Sequence, residues 1–127
     1  MGLDMYAYRM KYKPSKEVDF QEEVQDVERE TIHYWRKHPN LHGWMENLYR
    51  KKGGNGEDFN CDPVVLTEED LHQLATCIID SELPETTGSF FGKSHDNEEE
   101  REEDLNFVKE ALKAIEEGDT VFYDSWW

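Results

Sequence analysis

The chain has 127 residues, of which 13% are aromatic and 35% charged, and its formal net charge is −16. That length predicts a single domain, residues 1–127, with one modest core, and the aromatic content excludes a disordered acidic tail. The charge is uneven: residues 1–52 hold ten lysines and arginines against nine acids and residues 53–127 hold four against twenty-one, so the halves carry +1 and −17.

A duplex-binding protein needs a basic face for the phosphates, so no direct nucleic-acid binding is expected. No segment approaches the roughly 20 apolar residues of a membrane-spanning helix, and the start, "MGLDMYAYRM", has no apolar signal core. Cys61 and Cys77 lack CxxC or finger spacing, and one pair makes a poor disulfide framework. These features predict a cytoplasmic protein without a membrane partner.

In chain order, "GLDMYAYRMKY" alternates Leu3, Met5 and Ala7 with Asp4, Tyr6 and Tyr8, which predicts a first strand ended at Pro14-Ser15. Asp19 followed by Glu22 reads as a capping box, and Val24, Val27, Thr31, Tyr34 and Trp35 recur at helical spacing, predicting a helix up to about Lys37. Pro39 disfavours helical geometry at His38, and Asn40 is placed to cap a second helix with Leu41, Trp44, Met45 and Leu48 on one face, ended at Gly53-Gly54.

"GNGEDFNCDP" is a polar loop and "VVL" a short extended piece. Thr67 caps a third helix with Leu71, Leu74, Ala75 and Ile78 aligned, ending near Leu83-Pro84. "TTGSFFGKS" places an aromatic turn or short edge strand between Gly88 and Gly92. The acids of "HDNEEEREED" suit the start of a fourth helix, with Leu105, Val108, Ala111, Leu112 and Ile115 aligned and Gly118 closing it. "TVFYDSWW" is β-branched and aromatic, a terminal strand. The expected class is α+β: a small antiparallel sheet built from the terminal strands, packed with about four helices. Trp35, Trp44, Phe90, Phe91, Phe122 and Trp126 are expected in the core, with Trp127 exposed.

Few residues point to chemistry. Arg36, Lys37, Arg50, Lys51 and Lys52 fall where expected helices end, which complements the helix dipole; alternatively Arg36, Lys37 and His42 form a corner that receives a carboxylate or phosphate, with Asp4 or Tyr123 from adjoining strands completing it. His38 and His42 are four apart, but Pro39 breaks the helix that would align them and no HExxH or nearby acid pair completes a metal site, so no metal and no cofactor is assigned. A His42–Glu46 hydrogen bond along the helix is the ordinary alternative. Neither cysteine lies in an activating context, no GxSxG elbow surrounds Ser89 or Ser125, and "GGNGEDFN" has glycines without the Lys-Ser/Thr of a phosphate loop. No catalytic residue is assigned.

"GLDMY", "YWRKHPNLHGWM", "TGSFFG" and "YDSWW", in this order, resemble a family of small proteins of uncharacterised activity encoded by tailed bacteriophages. Members begin with a Gly-Leu-Asp-Met-aromatic strand, carry Tyr-Trp-Arg-Lys followed by Leu/Ile-His-x-Trp, then Thr-Gly-x-Phe-Phe-Gly, and close on a Tyr and Ser-Trp ending. Here these fall at Gly2 to Tyr6, Tyr34 to Lys37 with Leu41, His42 and Trp44, Thr87 to Gly92, and Tyr123 to Trp126. The resemblance implies a phage origin and a host bacterial cytoplasm, and it implies no established reaction.

Two functions follow as expectations. The first is a non-enzymatic accessory protein that binds a host protein through its acidic half, with Glu98, Glu99, Glu100, Glu102, Glu103 and Asp104 as the contact surface, in one version imitating a nucleic-acid backbone. The second is a small-ligand protein or enzyme with an anion pocket at the Arg36, Lys37 and His42 corner.

Overall fold

The protein is described from a computed structural model covering residues 2–127. Four strands and three helices follow in the order β1 (Asp4–Met10), β2 (Glu30–Arg36), α1 (Pro39–Lys51), β3 (Val64–Val65), α2 (Glu68–Ile79), α3 (Glu98–Glu116) and β4 (Thr120–Trp126). The sheet is antiparallel in the order β2-β1-β4-β3, so the two terminal strands are its centre. A bulge between Ala7 and Tyr8 shifts the β1–β2 register.

The α+β class and the terminal strands agree with expectation; the first expected helix does not exist. Residues 21–26 form turns, and Thr31, Tyr34 and Trp35 lie on the edge strand β2. Two physical reasons override the helical spacing. The run Thr31-Ile32-His33-Tyr34-Trp35 is β-branched and aromatic, residues that lose side-chain freedom in a helix and pack well on a pleated surface. Asp19, the expected cap, has φ of 53°, and its carboxylate accepts from the Tyr49 hydroxyl and from the Asn55 amide (2.9 Å). Arg36 and Lys37 therefore end a strand, and the helix-dipole account of those two cations is withdrawn.

The second helix begins at Pro39 itself, which occupies the first turn where its missing N–H costs nothing; His38 lies outside helical geometry before it (φ −114°, ψ 70°). Asn40 does not cap. Its side-chain oxygen accepts from the Thr86 amide (3.0 Å), and the Ser94 hydroxyl, from a distant loop, accepts the Asn40 N–H (3.0 Å). Helix α2 starts as expected, with a Thr67–Asp70 capping box, but stops at Ile79. Helix α3 starts from an Asn97 cap with Glu98, Glu99 and Glu100 in its first turn, and the chain turns through Gly118 (φ 96°) into β4.

The sheet's two faces have separate cores. Leu3, Met5, Ala7, Trp35, Val121 and Tyr123 meet the three helices, whereas Met10 and Phe122 on the other face are covered by Phe20 and Val24. That outer cover is short, and Tyr34 and Trp126 remain exposed. Trp126, expected in the core, is 68% exposed because strand alternation points it outward, while Trp127 leaves the strand and packs edge-on against Phe91 (ring centroids 5.0 Å apart). Phe90 is likewise exposed, in a turn beside the buried Phe91.

Candidate functional site

The end of β2, the turn into α1 and the first half of α3 enclose a cleft of about 440 Å³ lined by Arg36, Lys37 and His38 on one side and Glu99, Glu100 and Glu103 on the other. Register positions the first side. Trp35 pairs with Met5 in β1 and faces the helices, so its neighbour Arg36 faces away from them, and the chain turns at Lys37 (φ 58°) to send His38 inward. The second side follows from helical spacing: Asp104 lies three and four residues before Phe107 and Val108 on the buried stripe of α3, and Glu100 lies one turn earlier.

The floor of the cleft is a hydrogen-bonded chain. The Trp35 indole N–H donates to Asp104 Oδ1 (3.0 Å), and His38 Nε2 lies 2.7 Å from Asp104 Oδ2. His38 Nδ1 meets the Ser94 hydroxyl at 2.7 Å. His38 Nε2–H donates to the Asp104 carboxylate, Nδ1 accepts from Ser94, and Ser94 accepts the Asn40 amide, so the polar atoms of this network are partnered by one another. Glu100 Oε1 is 3.7 Å from His38 Nε2, and its carboxylate accepts from the amides of His95 (2.8 Å) and Asp96 (3.0 Å).

The acidic contact surface expected from sequence is thus divided. Glu98, Glu99, Glu102 and Glu103 are exposed, whereas Glu100 is largely covered and Asp104 is 2% exposed, an internal acceptor and no part of a surface. Glu103 meets His33 Nε2 at 3.1 Å; Glu98, Glu99 and Glu102 have no ion-pair partner among the described residues.

The corner pocket is divided as well. Arg36 and Lys37 line the cleft, but His42 does not: it is 1% exposed, ringed by Phe59 and Phe91, and its Nδ1 meets the Tyr123 hydroxyl at 2.7 Å. Burial lowers the His42 pKa to about 4 and raises that of Tyr123 well above its ordinary value. Glu46 pairs with Arg50 (3.2 Å), so the His42–Glu46 alternative is replaced by the Tyr123 bond. Asp4 accepts from the Tyr34 hydroxyl (2.5 Å) and lies 4.0 Å from Arg36 on the outer face of the sheet. Of the five expected pocket residues the structure brings together His42 with Tyr123 and Asp4 with Arg36.

The stretches that carry the phage resemblance nevertheless meet. A Cβ at Gly2 would lie 3.2 Å from Lys37 Cε, and one at Gly92 would lie 3.2 Å from Lys37 Cδ, so both glycines leave room for the lysine stem. Phe91 contacts His42 and Trp127 through edge-on rings.

On the far side of the sheet Asp124 has, among the described residues, only its neighbour's amide, Ser125 N–H at 2.8 Å, as a bonding partner, and burial raises its pKa to about 6. A carboxylate harder to ionise folded than unfolded contributes stability below its ordinary pKa of 3.8 and loses it as pH rises toward 6. Asp124→Asn is therefore expected to stabilise the protein by about 2 kcal/mol near neutral pH and by little near pH 4, read from urea unfolding at both. An equal effect at both pH values would contradict the assignment.

No protein-family model, curated protein or solved structure matches the chain. Sequence reasoning missed the His38–Glu100–Asp104 grouping; the signal was present in the spacing of Asp104 from Phe107 and Val108, which places an acid on a buried helical stripe.

Proposed function

We propose that the chain is a tailed-bacteriophage accessory protein that works in the host cytoplasm by binding, through the outward row of α3, a basic surface of a host protein. The observation that carries this is the row itself: Glu98, Glu99, Glu102 and Glu103 are exposed, and the first three lack ion-pair partners among the described residues. Five residue steps at about 1.5 Å each put these four charges within roughly 8 Å of helix axis, near the linear charge density of a duplex, about one per 1.7 Å. Such a row supports the nucleic-acid-mimic version of the proposal. The cationic lip formed by Arg36 and Lys37 lies across the cleft and favours a partner that itself carries an acidic group beside its basic face.

The test is capture of host-lysate proteins on the tagged chain at low and high salt. A single nucleic-acid-binding protein retained at low salt, released at high salt and displaced by short duplex DNA is expected. Retention indifferent to salt and to duplex would overturn the proposal.

The second reading, a small-ligand protein, keeps Arg36 and Lys37 and moves to the cleft, whose volume of about 440 Å³ is adequate for a small anion or nucleotide. It is distinguished by a rise in melting temperature with phosphate or nucleotide that Arg36→Ala removes.

A further inference from the structure

The floor of the cleft converges three side chains of the kind that bind first-row divalent metals. His38 Nε2, one oxygen of Glu100 and one oxygen of Asp104 all lie within 4.8 Å of one another, His38 and Asp104 buried and Glu100 largely so. We propose that these three residues form a site for a divalent transition-metal cation, Zn²⁺ or Mn²⁺, with remaining coordination positions open to the cleft.

Three observations support this beyond mere proximity. The first is the orientation of each donor by a separate group. Trp35 holds the other oxygen of Asp104, Ser94 holds the other nitrogen of His38, and the amides of His95 and Asp96 hold Glu100. Outer partners of this kind fix the ring and carboxylate orientations of metal ligands. The second is charge and donor type: one imidazole and two carboxylates supply a net charge of about −2 and a mixed N/O set, which suits Zn²⁺ and Mn²⁺ better than the all-oxygen shells of Mg²⁺ or Ca²⁺.

The third is access. The site lies under a cleft of about 440 Å³, whereas a purely structural network would be equally satisfied under a closed surface. The donor separations of 2.7 Å (His38–Asp104) and 3.7 Å (His38–Glu100) bracket the roughly 3.0–3.4 Å expected between neighbouring ligands of a metal bound at about 2.1 Å. Binding takes the Nε2 lone pair of His38 in place of the hydrogen bond to Asp104, so the single N–H of the neutral ring moves to Nδ1 and is donated to Ser94 Oγ, with no change of oxidation state. The inference is independent of the proposed partner, because none of the three ligands belongs to the outward row.

The test is calorimetric titration of the metal-free full chain with Zn²⁺ alone and Mn²⁺ alone, together with nuclear magnetic resonance of the indole N–H groups. One equivalent of each cation is expected to bind with a saturable heat. The Trp35 indole signal is expected to shift with Zn²⁺ and to broaden with Mn²⁺ ahead of those of Trp44, Trp126 and Trp127. Glu100→Gln, which keeps one oxygen for one of the two amides, is expected to weaken binding about tenfold or more, while Glu98→Gln and Glu102→Gln leave it unchanged.

Absence of saturable binding, or equal weakening by Glu98→Gln and Glu100→Gln, would show a hydrogen-bond network under a generally acidic surface and would overturn the site. Because Glu100→Gln and the wild-type titration do not require the loss of Asp104, the test does not depend on a variant that fails to fold.

Discussion

Asp104→Ala is expected to lower stability by about 3–5 kcal/mol, the largest effect of any single substitution on α3. The reason is what the carboxylate leaves behind. Asp104 is 2% exposed and receives both the Trp35 indole N–H and His38 Nε2. Its removal strands two buried donors, opens a void beside Phe107, whose ring packs edge-on against Trp35 at 4.7 Å, and frees the connection between β2 and α3. Asp104→Asn retains an acceptor for Trp35 and is expected to lose less. Urea unfolding of both variants beside Glu102→Ala, which alters an exposed carboxylate two residues away on the solvent side, measures the difference. Similar midpoints for Asp104→Ala and Glu102→Ala would contradict the internal role.

Acidification is expected to remove about 3 kcal/mol through His42 alone. Its folded pKa is lowered to about 4 from the ordinary 6.5 because burial among Phe59, Phe91 and Tyr123 penalises the charged ring. A base with a depressed folded pKa leaves the unfolded chain holding more protons. The neutral folded form is thus fully favoured above about pH 6.5, and its advantage is lost as pH falls toward 4. In His42→Gln that part of the pH dependence disappears, although the variant is less stable at neutral pH because the Tyr123 hydroxyl loses a well-placed partner. Unfolding free energies of wild type and variant across that interval give the comparison; parallel curves would mean that His42 does not carry the dependence.

The elements that were legible in the sequence are those whose local signals agreed with their packing. Leu3, Met5 and Ala7 alternate and are buried together; Thr67 caps; the acids from Glu98 open a helix. The segment from Asp19 to Lys37 misled because Val24, Val27, Thr31 and Trp35 satisfy a helical period by coincidence, while Thr31, Tyr34 and Trp35 belong to an edge strand that exists only because β1 is beside it. Pairing with a strand more than twenty residues away leaves no local trace beyond β-branched and aromatic content.

The site was half legible. The basic corner and the acidic run could each be seen, but their meeting across one cleft depends on the β2–α3 packing, and the inward turn of Asp104 and Glu100 was hidden by a stripe drawn through Leu105 rather than through Asp104 and Phe107. His42 could not be separated from Arg36 and Lys37 by spacing. Only the reversal of direction at Lys37 and the start of α1 at Pro39 send it to Tyr123.

The central claim is that the acids at the start of α3 divide into an inward set that holds the fold and an outward set that meets a partner. The most direct test is a combined Glu98→Lys, Glu99→Lys and Glu102→Lys variant, compared with wild type for capture of host protein at low salt and for melting temperature. The account predicts that capture is lost while melting stays within a few degrees, because these side chains are exposed and unpaired among the described residues. Unchanged capture by a folded variant would contradict it.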